Sequence, residues 1–302
     1  MQKIRNVLSL FDGICCGKLA LERAKIAFDK YYASEIDPTC IEIAERHHPN
    51  IISLGDVSNW KDWDLENIDL IMGGSPCQGF ACQGSQLNFD DPRSKLFFTM
   101  IEIIEHYKPK YFLLENVGMR KQWQDIITQH IGVAPVHLCS SLVSAQTRKR
   151  IYWANWPISE PKSEDIHLMS ILTKNDVLKN PASIVGRKIN PLTGKREDAN
   201  PDIPYTQCLQ VKKDTSKIGC ITTVGKDSVL THLPSGRYPY AFDEYERGVD
   251  WRYLTPIECE RAQTLPDDYT KGYSDSARKA LMGNGWTVDM ISHILTCIFN
   301  KR

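Results

Sequence analysis

The first half of the chain alternates short apolar runs with stretches that are apolar only at every third or fourth position. Residues 7–11 (VLSLF), 31–36, 51–54, 69–72 (DLIM) and 111–114 (YFLL) are short and nearly continuous, which predicts buried strands. Residues 18–27, 38–47, 94–107 and 121–131 carry helical spacing, and Pro38 suits a first helical turn. Further strands are expected near 136–143 and 151–154. Strands separated by helices of this length imply an α/β fold with a doubly wound, mostly parallel sheet.

After Trp156 the texture changes. Residues 157–250 are rich in Pro, Lys, Asp and Thr and have weak periodicity, which predicts a smaller, irregular domain. Helical patterns return at 256–264, 275–282 and 288–299. The expected organisation is therefore one domain from 1–156 plus 251–302, and a second from 157–250.

Composition excludes several classes. No stretch of the 302 residues approaches the roughly 20 apolar positions of a membrane span. The first residues show no secretory pattern, so a cytoplasmic setting and no membrane partner are expected. The 10 cysteines are scattered without CxxC or zinc spacing, which argues for a reducing compartment and no metal. The net charge is zero, so the whole molecule carries no general attraction for nucleic acid. Residues 187–237, however, hold nine Lys or Arg against five Asp or Glu.

In open parallel sheets, ligands bind beyond the carboxyl ends of the strands. Here those ends read FDGICCG, SEID, GDV, GGSPCQG and ENV. Gly13 and Gly17 let backbone approach a ligand. Glu35 stands where an acid accepts from ribose hydroxyls, Asp56 suits an exocyclic amine, and Phe11 covers a flat purine. The set fits an adenosine without a pyrophosphate, since GxGxxG is absent.

Cys77 follows the fourth strand, with Ser75 and Pro76 directing its approach and a glycine-dotted loop behind it. A thiolate is a strong nucleophile. Glu115 ends the neighbouring strand, and Arg148 and Arg150 alternate, so on a strand they share a face. A nucleophile, a carboxyl group and two guanidiniums suit attack on an electron-poor heteroaromatic ring. Sulfur addition turns an unreactive ring carbon into an enamine-like nucleophile able to take a methyl group from a sulfonium donor.

These motifs, with SAQTRKRIYW, LTPIECERAQTLPDDYT and MGNGWTVDMISHIL behind them, resemble the DNA (cytosine-5) methyltransferases and stand in that family's order. The style of LSLFDGI, SEID and GNGWTV is similar to the de novo type and its phage and bacterial relatives. The resemblance implies a Rossmann-like class I methyltransferase fold, with 157–250 as a target-recognition domain. It implies S-adenosylmethionine as donor, with S-adenosylhomocysteine as product. The implied cofactor contacts are Phe11, Asp12, Gly13, Cys16, Glu35, Ile36, Asp37, Asp56, Val57, Pro76, Leu96, Asn284, Gly285 and Trp286. Cys77 becomes the nucleophile towards carbon 6 of a flipped cytosine. Glu115 holds the ring nitrogen and amino group, Arg150 reaches the carbonyl, and Arg148 supports the site.

The partner implied is double-stranded DNA, with or without a companion restriction endonuclease. Gln78 and Ser85 fall in the loop expected to close over DNA, and Arg93 is an expected phosphate contact. ITTVGKD resembles the start of a recognition element, which makes Thr222, Thr223 and Lys226 DNA-facing candidates. Cys15 and Cys16 replace residues of the common FxGxGG motif, and because cysteine is small the change in cofactor fit is expected to be tolerated. Two rival readings are a transfer-RNA methyltransferase of the same fold and a catalytically silent DNA-binding relative. The silent relative is expected to lack the cysteine, the glutamate or the cofactor acids, all of which are present.

Overall fold

The computed structural model of the chain describes residues 3–75, 92–173, 178–190, 192–193, 195–234, 240–241 and 250–300, with side chains at 92–94 and 240–241 excepted. The chain divides into two compact units: 1–139, 149–162 and 285–302 form the first, and 140–148 with 163–284 the second.

The first unit is built on a seven-stranded sheet. Its strands are β1 (Lys3–Leu10), β2 (Ala27–Ser34), β3 (Ile52–Ser53), β4 (Ile68–Gly73), β5 (Tyr111–Val117), β6 (Val136–Cys139) and β7 (Lys149–Ala154). They lie in the order β3-β2-β1-β4-β5-β7-β6. The pairings from β3 to β5 are parallel, whereas β7 runs antiparallel to both β5 and β6. Strand order reverses between β1 and β4, the position at which such sheets open a crevice. Helices α1 (Cys16–Arg23), α2 (Pro38–His47), α3 (Pro92–Tyr107) and α4 (Lys121–Ile131) follow β1, β2, β4 and β5. α7 (Val288–Thr296) packs on α1, tied by Arg23 to Asp289 at 2.6 Å. The core on one face joins Leu8, Leu10, Ile71, Phe97, Met100, Leu114 and Trp153, all at most 1% exposed.

The fold class follows the alternation of apolar runs, but some boundaries move. α1 ends early because Lys25 takes a left-handed φ of 54°, and β2 starts at Ala27 rather than near 31. Glu115 and Asn116 do not end β5. They lie within it, opposite Tyr152 and Ile151 of β7. β6 stops at Cys139, where a 3-10 turn (Ser140–Leu142) begins.

The second unit carries a five-stranded antiparallel sheet in the order β11-β9-β8-β10-β12. Its strands are β8 (Asn180–Lys188), β9 (Tyr205–Val211), β10 (Val229–Thr231), β11 (Tyr240–Ala241) and β12 (Trp251–Tyr253). Ala182, Ile184, Leu209, Val211 and Val229 form its core. A regular sheet thus stands where the sequence predicts irregularity. Residues 251–284 also join this unit, because β12 pairs with β10. They bring α5 (Pro256–Ala262) and α6 (Asp275–Asn284) with them. α5 begins with a capping box between Thr255 and Glu258, and Glu258 also takes both guanidinium nitrogens of Arg252, at 2.7 and 2.9 Å. No helix among the described residues is long and apolar enough to cross a membrane.

Candidate active site

The turn after β1 is bent sharply by three left-handed residues in five, Phe11 (φ 56°), Gly13 (φ 59°) and Cys15 (φ 65°). The bend presents backbone N–H groups to the neighbouring strand ends. Asp12 N donates to Ser34 O at 3.1 Å, and Gly13 N donates to Glu35 Oε2 at 2.8 Å. Glu35 Oε1 accepts from the N–H groups of Ile36 and Asp37, at 2.8 and 2.9 Å. Ser34 Oγ donates to Gly55 O at 2.8 Å, which joins the third strand end. Phe11, Gly13, Glu35, Ile36 and the 55–56 turn are thereby gathered at one edge of the sheet.

Within this group the side chains differ in what they are free to do. Ile36 is 70% exposed, an unusual position for isoleucine. Asp37 caps α2 through Thr39 N, and Asp56 caps the following 3-10 helix (Val57–Asp62) through Ser58 N, each at 2.8 Å. Val57 and Cys16 are buried, while Phe11 and Leu96 pack half-buried on the core. Tyr31, which the sequence reading missed, donates to Asp12 Oδ1 at 2.6 Å. Asp12 Oδ2 is shielded from solvent and has no hydrogen-bond partner among the described residues. Burial pushes the Asp12 carboxyl up to about 6, against the lowering influence of the Ser9 and Tyr31 hydroxyls.

A second cluster is built on Glu115 and Asn116 within β5. Glu115 is 8% exposed. Its Oε1 meets Arg150 Nε at 2.9 Å, and its Oε2 accepts from the Trp286 indole at 3.0 Å. Gly74, just after β4, closes against the same carboxylate: a Cβ there would stand 2.8 Å from Glu115 Oε2 and 3.2 Å from Trp286 Nε1. The doublet Gly73-Gly74 is the sequence signal for this close approach. Asn116 Nδ2 reaches Ser75 Oγ at 3.4 Å. Cys77 follows Ser75 by two positions and, with Pro76, Gln78 and Ser85, lies outside the described residues, as does the Arg93 side chain. Among the implied cofactor contacts, Trp286 thus takes a place the sequence did not anticipate, on the carboxylate. Gly285 is its neighbour in the first unit, whereas Asn284 ends α6 in the second.

Arg148 corrects a further expectation. β7 begins at Lys149, so Arg148 lies before the strand, and the alternation argument that pairs it with Arg150 does not apply. Arg148 is 3% exposed and belongs to the second unit, where it donates to Ile221 O at 2.8 Å and Gly283 O at 3.1 Å. In the same unit, Thr223 and Lys226 are exposed, but the Thr222 hydroxyl is turned inward to Asp227 Oδ2 at 2.5 Å.

A family profile described as C-5 cytosine-specific DNA methylase matches residues 5–131 and 190–300. The type II methyltransferase M.NgoBV of Neisseria gonorrhoeae is 30% identical over 167 residues, 54% of this chain but only 38% of the relative. M.NlaX of Neisseria lactamica, also a type II methyltransferase, is 27% identical over 318 residues, covering 96% of this chain and 94% of the relative. The Entamoeba histolytica methyltransferase EhMeth superposes with a TM-score of 0.72 at 16% identity, over 99% of this chain and 98% of that one. The chain belongs to the C-5 cytosine-specific DNA methylase family.

Proposed function

We propose that this chain methylates carbon 5 of cytosine in double-stranded DNA, using S-adenosylmethionine, in the cytoplasm of a bacterial or phage-infected cell. The observation that carries the reading is the Glu115 carboxylate, fixed by Arg150 and Trp286 beside the β4 end that leads to Cys77. A carboxyl group held from both oxygens is pre-positioned for a flat base. The target base must leave the duplex stack to reach such a site.

In this reading the Cys77 thiolate adds to carbon 6 of the extruded cytosine. Glu115 binds the ring nitrogen and amino group, so that the developing charge on the ring is met by a proton. Arg150 is the donor for the carbonyl oxygen. Electron density pushed from sulfur reaches carbon 5, which becomes nucleophilic. S-adenosylmethionine, when bound, supplies a methyl group on a positively charged sulfur. Loss of the carbon 5 proton then expels the thiolate and restores the ring.

The strand-end cluster supports this donor. Glu35 is held by three backbone N–H groups in a pose that leaves lone pairs for ribose hydroxyls. Ile36 and Phe11 offer apolar surface for adenine. Asp12 Oδ2, which has no hydrogen-bond partner among the described residues, suits a cationic ligand. Lysine and arginine between 187 and 237, with Thr223, Lys226 and Arg93, are the expected DNA contacts.

Transfer of labelled methyl groups to mixed-sequence duplex DNA, in competition with transfer RNA, tests the reading. Incorporation into the duplex, lost in Cys77→Ala, is expected. Preferential labelling of transfer RNA, or of neither, overturns it.

A further inference from the structure

Arg148 is a buried guanidinium set on backbone. Besides the carbonyls of Ile221 and Gly283, its Nη1 lies 3.4 Å from Cys220 Sγ. Burying a charged group is costly, and an arginine fork in such a place fixes geometry by several donors at once. What it fixes is the segment that runs from Ile218 to Thr223.

The same segment is fastened from other sides. Residues 145–147 run alongside it: Thr147 N donates to Ile218 O and Ile218 N donates to Ala145 O, both at 2.9 Å. Gln146, fully buried, accepts from Ile221 N at 3.3 Å and donates to Ala262 O at 2.6 Å and Gln263 Oε1 at 2.8 Å. Gln263 in turn donates to Met282 O at 2.5 Å. Gly283 presses directly on the strip, since a Cβ there would lie 2.3 Å from Thr222 C and from Thr223 N.

Beyond this root the chain forms a closed turn. Thr222 Oγ1 donates to Asp227 Oδ2 and accepts from Val224 N at 3.0 Å, and a 3-10 turn follows at Gly225–Asp227. Thr223, Val224 (53% exposed) and Lys226 project to solvent from it. A hydroxyl, a branched methyl pair and an ammonium on a turn closed by its own hydrogen bonds suit phosphate contact together with apolar contact to a base edge.

We propose that Arg148 is a positioning residue for a DNA-reading turn: with Gly283, it holds 222–226 in the register that presents Thr223, Val224 and Lys226. This rests on the methyltransferase reading, but assigns Arg148 to recognition rather than to the cytosine ring. Arg148 grips the root of the turn at Cys220 and Ile221, whereas Gly283 packs on Thr222 and Thr223, so disturbing either should give one phenotype.

The test compares Arg148→Lys, Gly283→Ala, the double variant Thr223→Ala/Lys226→Ala and Arg150→Lys on the full chain. The substrate is a duplex carrying a site that the wild type methylates. Arg148→Lys and Gly283→Ala should each raise KM for DNA about tenfold with a smaller fall in kcat, and bisulfite sequencing should show a wider set of methylated sites. The turn variant should weaken DNA binding and flatten its salt dependence by about one unit of slope. Arg150→Lys should instead lower kcat.

A fall in kcat at saturating DNA for Arg148→Lys, with the site set unchanged and Gly283→Ala like wild type, would assign Arg148 to catalysis and overturn the proposal. If thermal melting shows that Arg148→Lys does not fold, Gly283→Ala decides: wild-type KM and site set overturn the proposal, and the shifted pair supports it. Failure of the methyltransferase reading would appear separately, as no methyl transfer by the wild type. Anisotropy of a fluorescein-labelled mixed-sequence duplex then decides, with weaker binding by Gly283→Ala and the turn variant expected and equal binding overturning the proposal.

Discussion

Asp12 is a buried acid in the turn after β1. One oxygen takes the Tyr31 hydroxyl, the other has no partner among the described residues, and burial lifts its pKa to about 6. An acid whose folded pKa is raised binds its proton more tightly in the folded state. Its contribution is therefore fully present below the unfolded value of 3.8, and is lost as pH rises through about 6. The ligand-free protein is expected to lose thermal stability over that window, and Asp12→Asn should remove most of the loss. The same substitution should weaken S-adenosylmethionine more than S-adenosylhomocysteine, because only the former carries a positive sulfur. Melting curves at pH 5 and pH 8, with calorimetry for both ligands, check this. Parallel pH dependence in the two proteins, with equal losses for both ligands, would contradict it. The neighbouring acids were legible as strand-end residues, but Asp37 and Asp56 also cap helices, a local job that a motif alone does not separate from ligand binding.

Elements explain why Glu115 is stationary. It sits inside β5, its guanidinium partner comes from β7, and its indole partner precedes α7, so three separate segments meet on one carboxylate. Removing the indole donor while keeping an aromatic body tests that arrangement. Trp286→Phe leaves Oε2 without its N–H partner, and kcat should fall about tenfold, the scale of one hydrogen bond to a charged group. Cofactor affinity should change less than kcat in steady-state and calorimetric measurements. A large loss of affinity with kcat intact would make Trp286 a cofactor contact, as its motif implies. Short apolar runs foretold β4 and β5 because buried parallel strands need little else. The strand at 151–154 was legible too, but its antiparallel direction was not, since Ile151–Ala154 reads the same either way. The second sheet was missed for a related reason. Its core is only a handful of alternating residues such as Ala182, Ile184, Leu209 and Val211, interrupted by prolines, threonines and lysines that dilute the period.

At the scale of the whole chain, net charge says nothing about DNA, because 37 basic and 37 acidic residues cancel while residues 187–237 keep a basic excess. Sequence likewise misplaced 140–148 and 251–284, which join the second unit through long-range pairings that no local window contains. The proposed reaction supplies a test that needs the entire chain and reads a bond rather than a rate. Sulfur addition to carbon 6 must be undone, and that requires carbon 5 to release its hydrogen as a proton after methylation. Fluorine at carbon 5 cannot leave in that way, so thiolate departure stops and the protein stays bonded to the DNA. A duplex bearing 5-fluorocytosine at a methylated site, with S-adenosylmethionine present, should give a species that survives denaturing electrophoresis. An ordinary cytosine duplex should give none, and neither should Cys77→Ala. Glu115→Gln should slow its appearance about a hundredfold, the usual contribution of a placed proton donor. A wild-type enzyme that methylates cytosine yet never forms this adduct, or a Cys77→Ala variant that does, would move the chemistry away from this thiol.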